Sequence, residues 1–255
     1  ALNNAIGRFY NAMGVELRQG YGLTETSPVI SVNRENCNNP VTVGQPIPGL
    51  QIRLGDIEEL QVKGPTVMKG YWKRPDATAE VFTEDGWFRT GDQADLSDAG
   101  RIRIKGRIKE IIVTSTGEKI PPTDMELAIQ TDPLFEQVMV VGEARPFITA
   151  LAVVNEAEWE KFAKEFNVDP SDDRMLMRRD IRMAALKRLK KAASRFPQYG
   201  IPRNIRLLKE HWTVDNGCLT VTMKLRRPII REKLRAEIDE LYTCLLYTSP
   251  SPRDA

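Results

Sequence analysis

Gly106-Arg107-Ile108-Lys109-Glu110 runs through Ile111-Ile112-Val113 into Thr116-Gly117-Glu118-Lys119-Ile120 and Pro121-Pro122, and the texture of the chain changes across this stretch. Ahead of it, short β-type runs are punctuated by Gly and Pro: Leu50 to Leu54, Leu60 to Lys63 and Arg101 to Lys105. Asp98-Ala99-Gly100 lies between two alternating segments and predicts a hairpin turn. Further forward, Leu2, Ile6, Phe9 and Met13 recur at helical spacing and predict a helix over 1–17, stopped by Gly20.

Behind it, strands and helices alternate. Ile111-Ile112-Val113 and Lys119-Ile120 flank a polar loop that contains Gly117. After Pro121-Pro122 a helix is expected, with Thr123 as its N-cap and Glu126 as the capping-box partner. Val138 to Val141 and Ile148 to Val154 predict two buried strands turned at Pro146. Helices follow over 156–166 and 174–196, then a strand over 205–208 and a helix over 228–242. The fold class is therefore α/β (mixed α+β), with a β-rich front part over 1–106 and a compact α+β domain over 107–243. The remaining stretch, 244–255, abandons the helical pattern for Ser249-Pro250-Ser251-Pro252 and reads as a disordered, non-native tail, one frame of a sequencing adapter.

Composition narrows the function. Of 255 residues, 41% are hydrophobic and 28% charged, the profile of an ordinary globular protein. Lys plus Arg number 37 against 35 for Asp plus Glu, which argues against a nucleic-acid partner, since neutralising phosphates needs a basic excess. No apolar run reaches the length of a membrane span, and no signal peptide opens the chain, which starts at Ala1 rather than Met. Cys37, Cys218 and Cys244 share no ligand spacing with each other or with the single His, which argues against a zinc centre. Three scattered cysteines suit a reducing, cytoplasmic setting.

Four segments carry candidate chemistry. In Tyr21-Gly22-Leu23-Thr24-Glu25-Thr26, a glycine can bring backbone close to a nucleotide, a Thr hydroxyl can hold a phosphate oxygen, and a Glu can share a hard Mg²⁺. Taken alone it reads equally as a polar turn. Gly70-Tyr71-Trp72-Lys73-Arg74-Pro75 follows Glu59 to Gly64, and its aromatic and glycine content reads as structural. Gly86-Trp87-Phe88-Arg89-Thr90-Gly91-Asp92 ends in a carboxylate that could accept both ribose hydroxyls, or could serve a turn. The fourth is the stretch around Lys109 and Gly117.

In this order the four segments resemble the adenylate-forming superfamily: acyl-CoA synthetases, peptide-synthetase adenylation domains and beetle luciferases. The resemblance covers nearly everything from Ala1 to Tyr242. It implies the end of a large AMP-binding domain followed by a small mobile domain. It further implies that Thr24 contacts the α-phosphate and Glu25 binds Mg²⁺. Tyr21 and Gly22 belong to the same nucleotide loop, Asp92 would bind the ribose hydroxyls, and Arg107 would support the same nucleotide. Lys109 matches a hinge, and Gly117 a loop lining the channel for coenzyme A.

Near the end, Asn216-Gly217-Cys218-Leu219-Thr220-Val221-Thr222-Met223-Lys224-Leu225-Arg226-Arg227 matches the segment bearing the family's mobile catalytic lysine, at Lys224. An ammonium offsets the negative charge that builds as a carboxylate attacks phosphorus, and Arg226 and Arg227 compete for the role on charge alone. The Asn-Gly-x-Leu-Thr-x-Thr-x-Lys form resembles long-chain fatty-acyl-CoA synthetases, with Val221 where many carry Pro. ATP, Mg²⁺, coenzyme A and a fatty acid are the implied cofactors and substrates. Ala1-Leu2-Asn3 resembles the tail of an adenine-facing segment, so the phosphate loop and acyl pocket are expected upstream and the chain is expected not to adenylate alone.

Other features have simpler readings. Ile181, Ala185, Leu189, Ala192 and Phe196 share one face of a basic helix, which reads as a solvated amphipathic element, the alternative being a contact with coenzyme A phosphates or the periphery of a membrane. His211 reads as a packing or hydrogen-bonding residue, and Trp72, Trp87 and Trp159 as core or interface. The rival functions are a ligase for a carrier protein or aryl acid, and a non-catalytic domain that retains only the fold.

Overall fold

The structure, a computed structural model, describes residues 4–243; Ala1 to Asn3 and the tail after Thr243 lie outside the described residues. The chain divides into two compact units, one ending at Glu110 and the other starting at Ile111. Sequence texture puts the change at 106/107. Contacts extend the first unit because its last strand runs to Arg107 and the turn Ile108–Glu110 packs against the neighbouring strand, Phe88–Asp98.

The first unit opens with α1 (Asn4–Ala12). The predicted helix was longer, but Gly14 takes a left-handed conformation at φ 80°. The amide of Gly14 donates to Asn11 O (3.1 Å) and that of Val15 to Tyr10 O (3.0 Å), the two bonds of a Schellman stop. Strands β1 (Gly20–Tyr21), β2 (Ser31–Val32) and β3 (Gln45–Pro46) form a short antiparallel sheet. Next come β4 (Gln51–Leu54), β5 (Glu59–Lys63), helix α2 (Pro75–Glu80), β6 (Phe88–Asp98) and β7 (Arg101–Arg107). The four strands form an antiparallel meander in the order β4-β5-β6-β7. The predicted turn at Asp98 is present: Ala99 and Gly100 both have positive φ (48° and 74°), as a two-residue hairpin requires. Ile30, Val43, Leu60, Val62, Ala94 and Ile102 form the core beneath both sheets.

The second unit begins with a two-stranded hairpin, β8 (Ile112–Val113) and β9 (Lys119–Ile120). Helix α3 (Pro122–Ile129) follows, then β10 (Phe135–Val141), β11 (Thr149–Val154), α4 (Glu156–Glu165), α5 (Arg179–Ala192), β12 (Asn204–Leu208), α6 (Arg227–Lys233) and α7 (Arg235–Thr243). Strand β11 is central, antiparallel to β10 and parallel to β12, and all six of its residues are buried. Because side chains alternate along a strand, the sheet feeds two cores. Val138, Val140, Ala150, Ala152, Ile205 and Leu207 join residues of α3, α4 and α5. Met139, Val141, Leu151 and Val153 instead meet Trp212, Cys218, Leu219 and the apolar residues of α6 and α7.

Several local expectations change. Helix α3 starts at Pro122, whose missing N–H and fixed φ suit a first turn, and Pro121 occupies the N-cap position. Glu126 does not cap the helix. Its carboxylate is buried and takes both Nη1 and Nη2 of Arg227 (2.6 and 2.7 Å) and the amide of Val140 (2.8 Å). The predicted helix over 174–196 is a 3-10 turn at Asp173–Met177 followed by α5, and the final helix breaks at Leu234 into α6 and α7. Ile181, Ala185 and Leu189 do bury one face of α5, while Arg188 pairs with Asp132 and Arg182 bonds Asn204 and Ile205 O. Trp159 is in the core, but Trp72 is 86% exposed. His211 Nε2 lies 3.2 Å from Glu136. Among the described residues, no helix is long and apolar enough to cross a membrane.

Gly22 has a tighter constraint than its sequence reading gave it. A Cβ there would lie 1.8 Å from Pro28 O and 2.8 Å from Val29 Cα, so the turn after β1 closes only on a residue without a side chain. Gly22→Ala is expected to destabilise the first unit by about 3 kcal/mol, since backbone rather than a flexible side chain must yield. Gly14→Ala, whose Cβ meets open space, should cost only the ~1 kcal/mol of a left-handed alanine. Urea unfolding of the two variants checks the order, and an equal shift in midpoint would overturn it.

Candidate nucleotide and lysine sites

Strand β1 delivers Tyr21 and leads through Gly22 and Leu23 into a single 3-10 turn, Thr24–Thr26. Thr26 is buried and ties the turn to itself: its hydroxyl donates to Leu23 O (2.9 Å) and accepts from the Leu23 amide (3.0 Å). Ser27, at φ 56°, ends the turn. Outside, Thr24 is exposed and Glu25 half-buried. The Met68 amide donates to Glu25 O (2.8 Å), and the Tyr71 hydroxyl donates to Glu25 Oε1 (2.8 Å). That bond to a carboxylate raises the Tyr71 phenol above its ordinary pKa. Tyr71, read from sequence as structural, thus orients the carboxylate expected to meet a metal.

A carboxylate and a hydroxyl on one turn fit a Mg²⁺ ion that keeps its waters and arrives with substrate phosphates. Among the described residues, no cluster of three or more His, Cys, Asp or Glu could cage a metal instead.

Asp92 lies across the same unit. It is 4% exposed, sits in β6, and is the direct ladder partner of Arg107 in β7. Arg107 Nε contacts Asp92 Oδ1 at 2.9 Å, and the Tyr21 hydroxyl donates to Asp92 Oδ2. Burial and the neighbouring Asp92 charge both push the Tyr21 phenol well above its usual pKa, so it stays a donor through the physiological range. Thr90 completes the frame. Its hydroxyl donates to Leu60 O (2.7 Å) and accepts from the Asp92 amide (3.1 Å), and its carbonyl accepts from Arg107 Nη1 (3.3 Å). Tyr21, Asp92 and Arg107, predicted from separate segments, are brought together; Thr90 was missed as a positioning residue.

Lys109 is exposed in the turn Ile108–Glu110, one residue before the last of the first unit. Gly117 and Lys224 lie in the second unit, on two turns built alike. In one, the Thr114 amide donates to Glu118 O (3.0 Å), the Gly117 amide to Thr114 O (3.0 Å), and the Glu118 amide to Thr114 Oγ1 (3.1 Å). In the other, the Thr220 amide donates to Lys224 O (2.9 Å), the Met223 amide to Thr220 O (2.8 Å), and the Lys224 amide to Thr220 Oγ1 (3.1 Å). Each carries a second threonine hydroxyl bonded to the first, at 2.9 and 3.0 Å. Gly117 (φ 84°) and Met223 (φ 60°) fill the left-handed position of the three-residue loop. Lys224 thus projects from a hydrogen-bonded tip and is exposed. Of its two charged neighbours, Arg227 is buried against Glu126, while Arg226 is exposed and its amide donates to Cys218 O (2.8 Å).

Two family models match this chain. Residues 1–72 match the model of the AMP-binding enzyme family, and residues 109–245 match that of the AMP-binding enzyme C-terminal domain. A long-chain-fatty-acid–CoA ligase of Mycobacterium bovis is 36% identical over 249 residues, covering 94% of this chain and 40% of the relative. A chloroplastic long-chain-fatty-acid–[acyl-carrier-protein] ligase of Arabidopsis thaliana is 33% identical, covering 93% and 34%. The chain therefore spans about 40% or less of the length of these curated relatives. Among solved structures, the A domain of a carboxylic acid reductase from Segniliparus rugosus, in complex with AMP and a co-purified carboxylic acid, superposes with a TM-score of 0.73 at 26% identity, covering 93% of this chain and 37% of that one. The adenylation domain of a carboxylate reductase from Mycobacterium chelonae shares the fold at a TM-score of 0.77, 24% identity and coverage of 96% and 38%. With the C-terminal model alone matching more than half of its length, the chain belongs to the family of AMP-binding enzymes.

Proposed function

We propose that this chain is the C-terminal part of an ATP-dependent, AMP-forming ligase that converts a long-chain fatty acid to its acyl-CoA. In the first half-reaction a carboxylate oxygen of the acid attacks the α-phosphorus of ATP, the bond to pyrophosphate breaks, and an acyl-adenylate remains. In the second the thiol of coenzyme A attacks the acyl carbon, loses its proton, and AMP departs. The observation that best supports the reading is the lysine hairpin. Lys224 is exposed on a hydrogen-bonded tip while Arg227 is withdrawn into a buried ion pair. A compact ammonium on a flexible stem is then well placed to offset charge building on the transferred phosphate.

The remaining residues divide the binding. Asp92, framed by Tyr21, Arg107 and Thr90, takes the ribose hydroxyls. Thr24 meets the α-phosphate, and Glu25, oriented by Tyr71, takes the magnesium ion. That ion offsets phosphate charge when bound. Lys109, at the boundary of the two units, serves as the hinge for the change between half-reactions, and Gly117 lines the route of the coenzyme A arm. A second reading, in which a carrier-protein thiol replaces coenzyme A, is favoured by the relative named for that acceptor. Acyl transfer by the intact ligase to coenzyme A and to carrier protein, across a panel of acids, separates the two.

Three outcomes are expected in the intact ligase. Lys224→Ala should slow adenylation by about two to three orders of magnitude, the cost of one transition-state donor, while sparing thioester formation from supplied acyl-adenylate. Equal loss in both half-reactions would sink the assignment. Lys109→Pro, by fixing φ, should do the reverse, leaving adenylation and blocking acyl-CoA output; normal output rules out the hinge. Asp92→Asn should reduce the penalty for replacing ATP by its 2′,3′-dideoxy analogue, and an unchanged ratio of kcat/KM would remove the ribose contact.

A further inference from the structure

The hairpin that carries Lys224 has an anchor that its sister turn lacks. Its two arms are joined by the bridge Leu219–Leu225 and by the Arg226 amide bonding Cys218 O (2.8 Å), and the next residue is Arg227. The Arg227 fork reaches Glu126, 101 positions earlier in the chain, through two parallel bonds of 2.6 and 2.7 Å. Glu126 is itself fixed, because Oε1 also accepts the amide of Val140 near the end of β10 (2.8 Å). Two parallel bonds set rotation as well as distance. The other contacts of the hairpin root are local or apolar: the Leu219 amide donates to Thr213 O (2.9 Å) and the Cys218 amide to Asn216 Oδ1 (3.2 Å), a few residues back in the chain, while both side chains enter the apolar core. At the tip, Val221 and Met223 are 86% and 68% exposed. The Thr114–Glu118 turn is held differently, by the Ser115 amide on Arg145 O (2.9 Å) and the Ala144 amide on Val113 O (2.8 Å).

We infer that Arg227 and Glu126 form a positioning pair for Lys224, setting the register in which the hairpin presents its ammonium; this rests on the role of Lys224 proposed above. The pair works through the hairpin and touches no substrate. Breaking it therefore disturbs the half-reaction that uses Lys224 and leaves the one that uses the Gly117 turn.

The test uses Arg227→Met combined with Glu126→Gln, which leaves no unpaired buried charge and keeps an acceptor for the Val140 amide, together with the conservative Arg227→Lys. In the intact ligase the double variant should lose about a hundredfold in the rate of adenylation, the scale of a misplaced catalytic group. The KM for ATP and thioester formation from supplied acyl-adenylate should stay within about twofold. Arg227→Lys should recover part of the rate. In the Lys224→Ala background the same double change should cause no further loss of adenylation.

In this chain alone, hydrogen exchange in 218–226 should quicken about tenfold or more, while 114–118 is unchanged. Loss of both half-reactions together, retained adenylation in the double variant, additivity with Lys224→Ala, or unchanged exchange in 218–226 would each overturn the inference. If Lys224→Ala alone leaves adenylation intact, the role of the lysine falls first and the pair has nothing to position.

Discussion

The buried contact between Glu126 and Arg227 ties together parts of the second unit that lie 101 positions apart in the chain. The side chains are 7% and 11% exposed, so both charges have left water. That desolvation costs several kcal/mol per ion, and the mutual attraction with good hydrogen bonds roughly offsets it. Net stability is therefore a poor reason for such a pair. Its geometric consequence is large: α3, the end of β10 and the first residue of α6 are fixed to one another by directional bonds. Apolar packing alone would fix the same elements less sharply, because area burial rewards contact without specifying rotation. The lysine hairpin ends where that constraint begins.

The first unit solves a different problem with similar means. Asp92 must be fixed in advance if it is to discriminate a sugar edge, so it is buried and framed from both sides. The frame draws on β1, 71 positions earlier in the chain, on the β6–β7 hairpin, and on Thr90, whose hydroxyl links β6 to β5. Glu25 sits in a more open place, held by Tyr71 from an exposed loop. A carboxylate that meets a hydrated ion needs access, whereas one that reads hydroxyls needs rigidity. The two environments match the two proposed tasks.

Much of this was legible in the sequence where local rules govern. The strand runs, the Asp98 hairpin, the buried pair β10 and β11, and the start of α4 follow from periodicity and turn chemistry. The α/β class follows from their alternation. What escaped was set by a distant partner or by backbone conformation that residue type alone does not specify. Glu126 has the right spacing for a capping box with Thr123, but an arginine 101 residues away takes its carboxylate. The end of α1 depends on Gly14 adopting φ 80°, which the apolar spacing through Leu17 concealed. At Gly22 the close approach of Pro28 O leaves no room for a Cβ, a constraint that the motif alone did not show. Aromatic character alone did not distinguish Trp159, which is buried, from Trp72, which is open to solvent.

The twin turns show where sequence and geometry part company most clearly. Thr114-Ser115-Thr116-Gly117-Glu118 and Thr220-Val221-Thr222-Met223-Lys224 share only their two threonines, yet they make the same set of hydrogen bonds. The shared threonines explain the shared fold: the first hydroxyl accepts the amide that follows the left-handed residue, and the second closes the pair. The left-handed position itself costs little at Gly117 and about 1–2 kcal/mol at Met223. A methionine held there is strained, and the surrounding bonds must outweigh that strain. The anchoring of Arg227 directly behind the hairpin gives the physical reason that they can: the lysine turn is held from its base as well as closed at its tip.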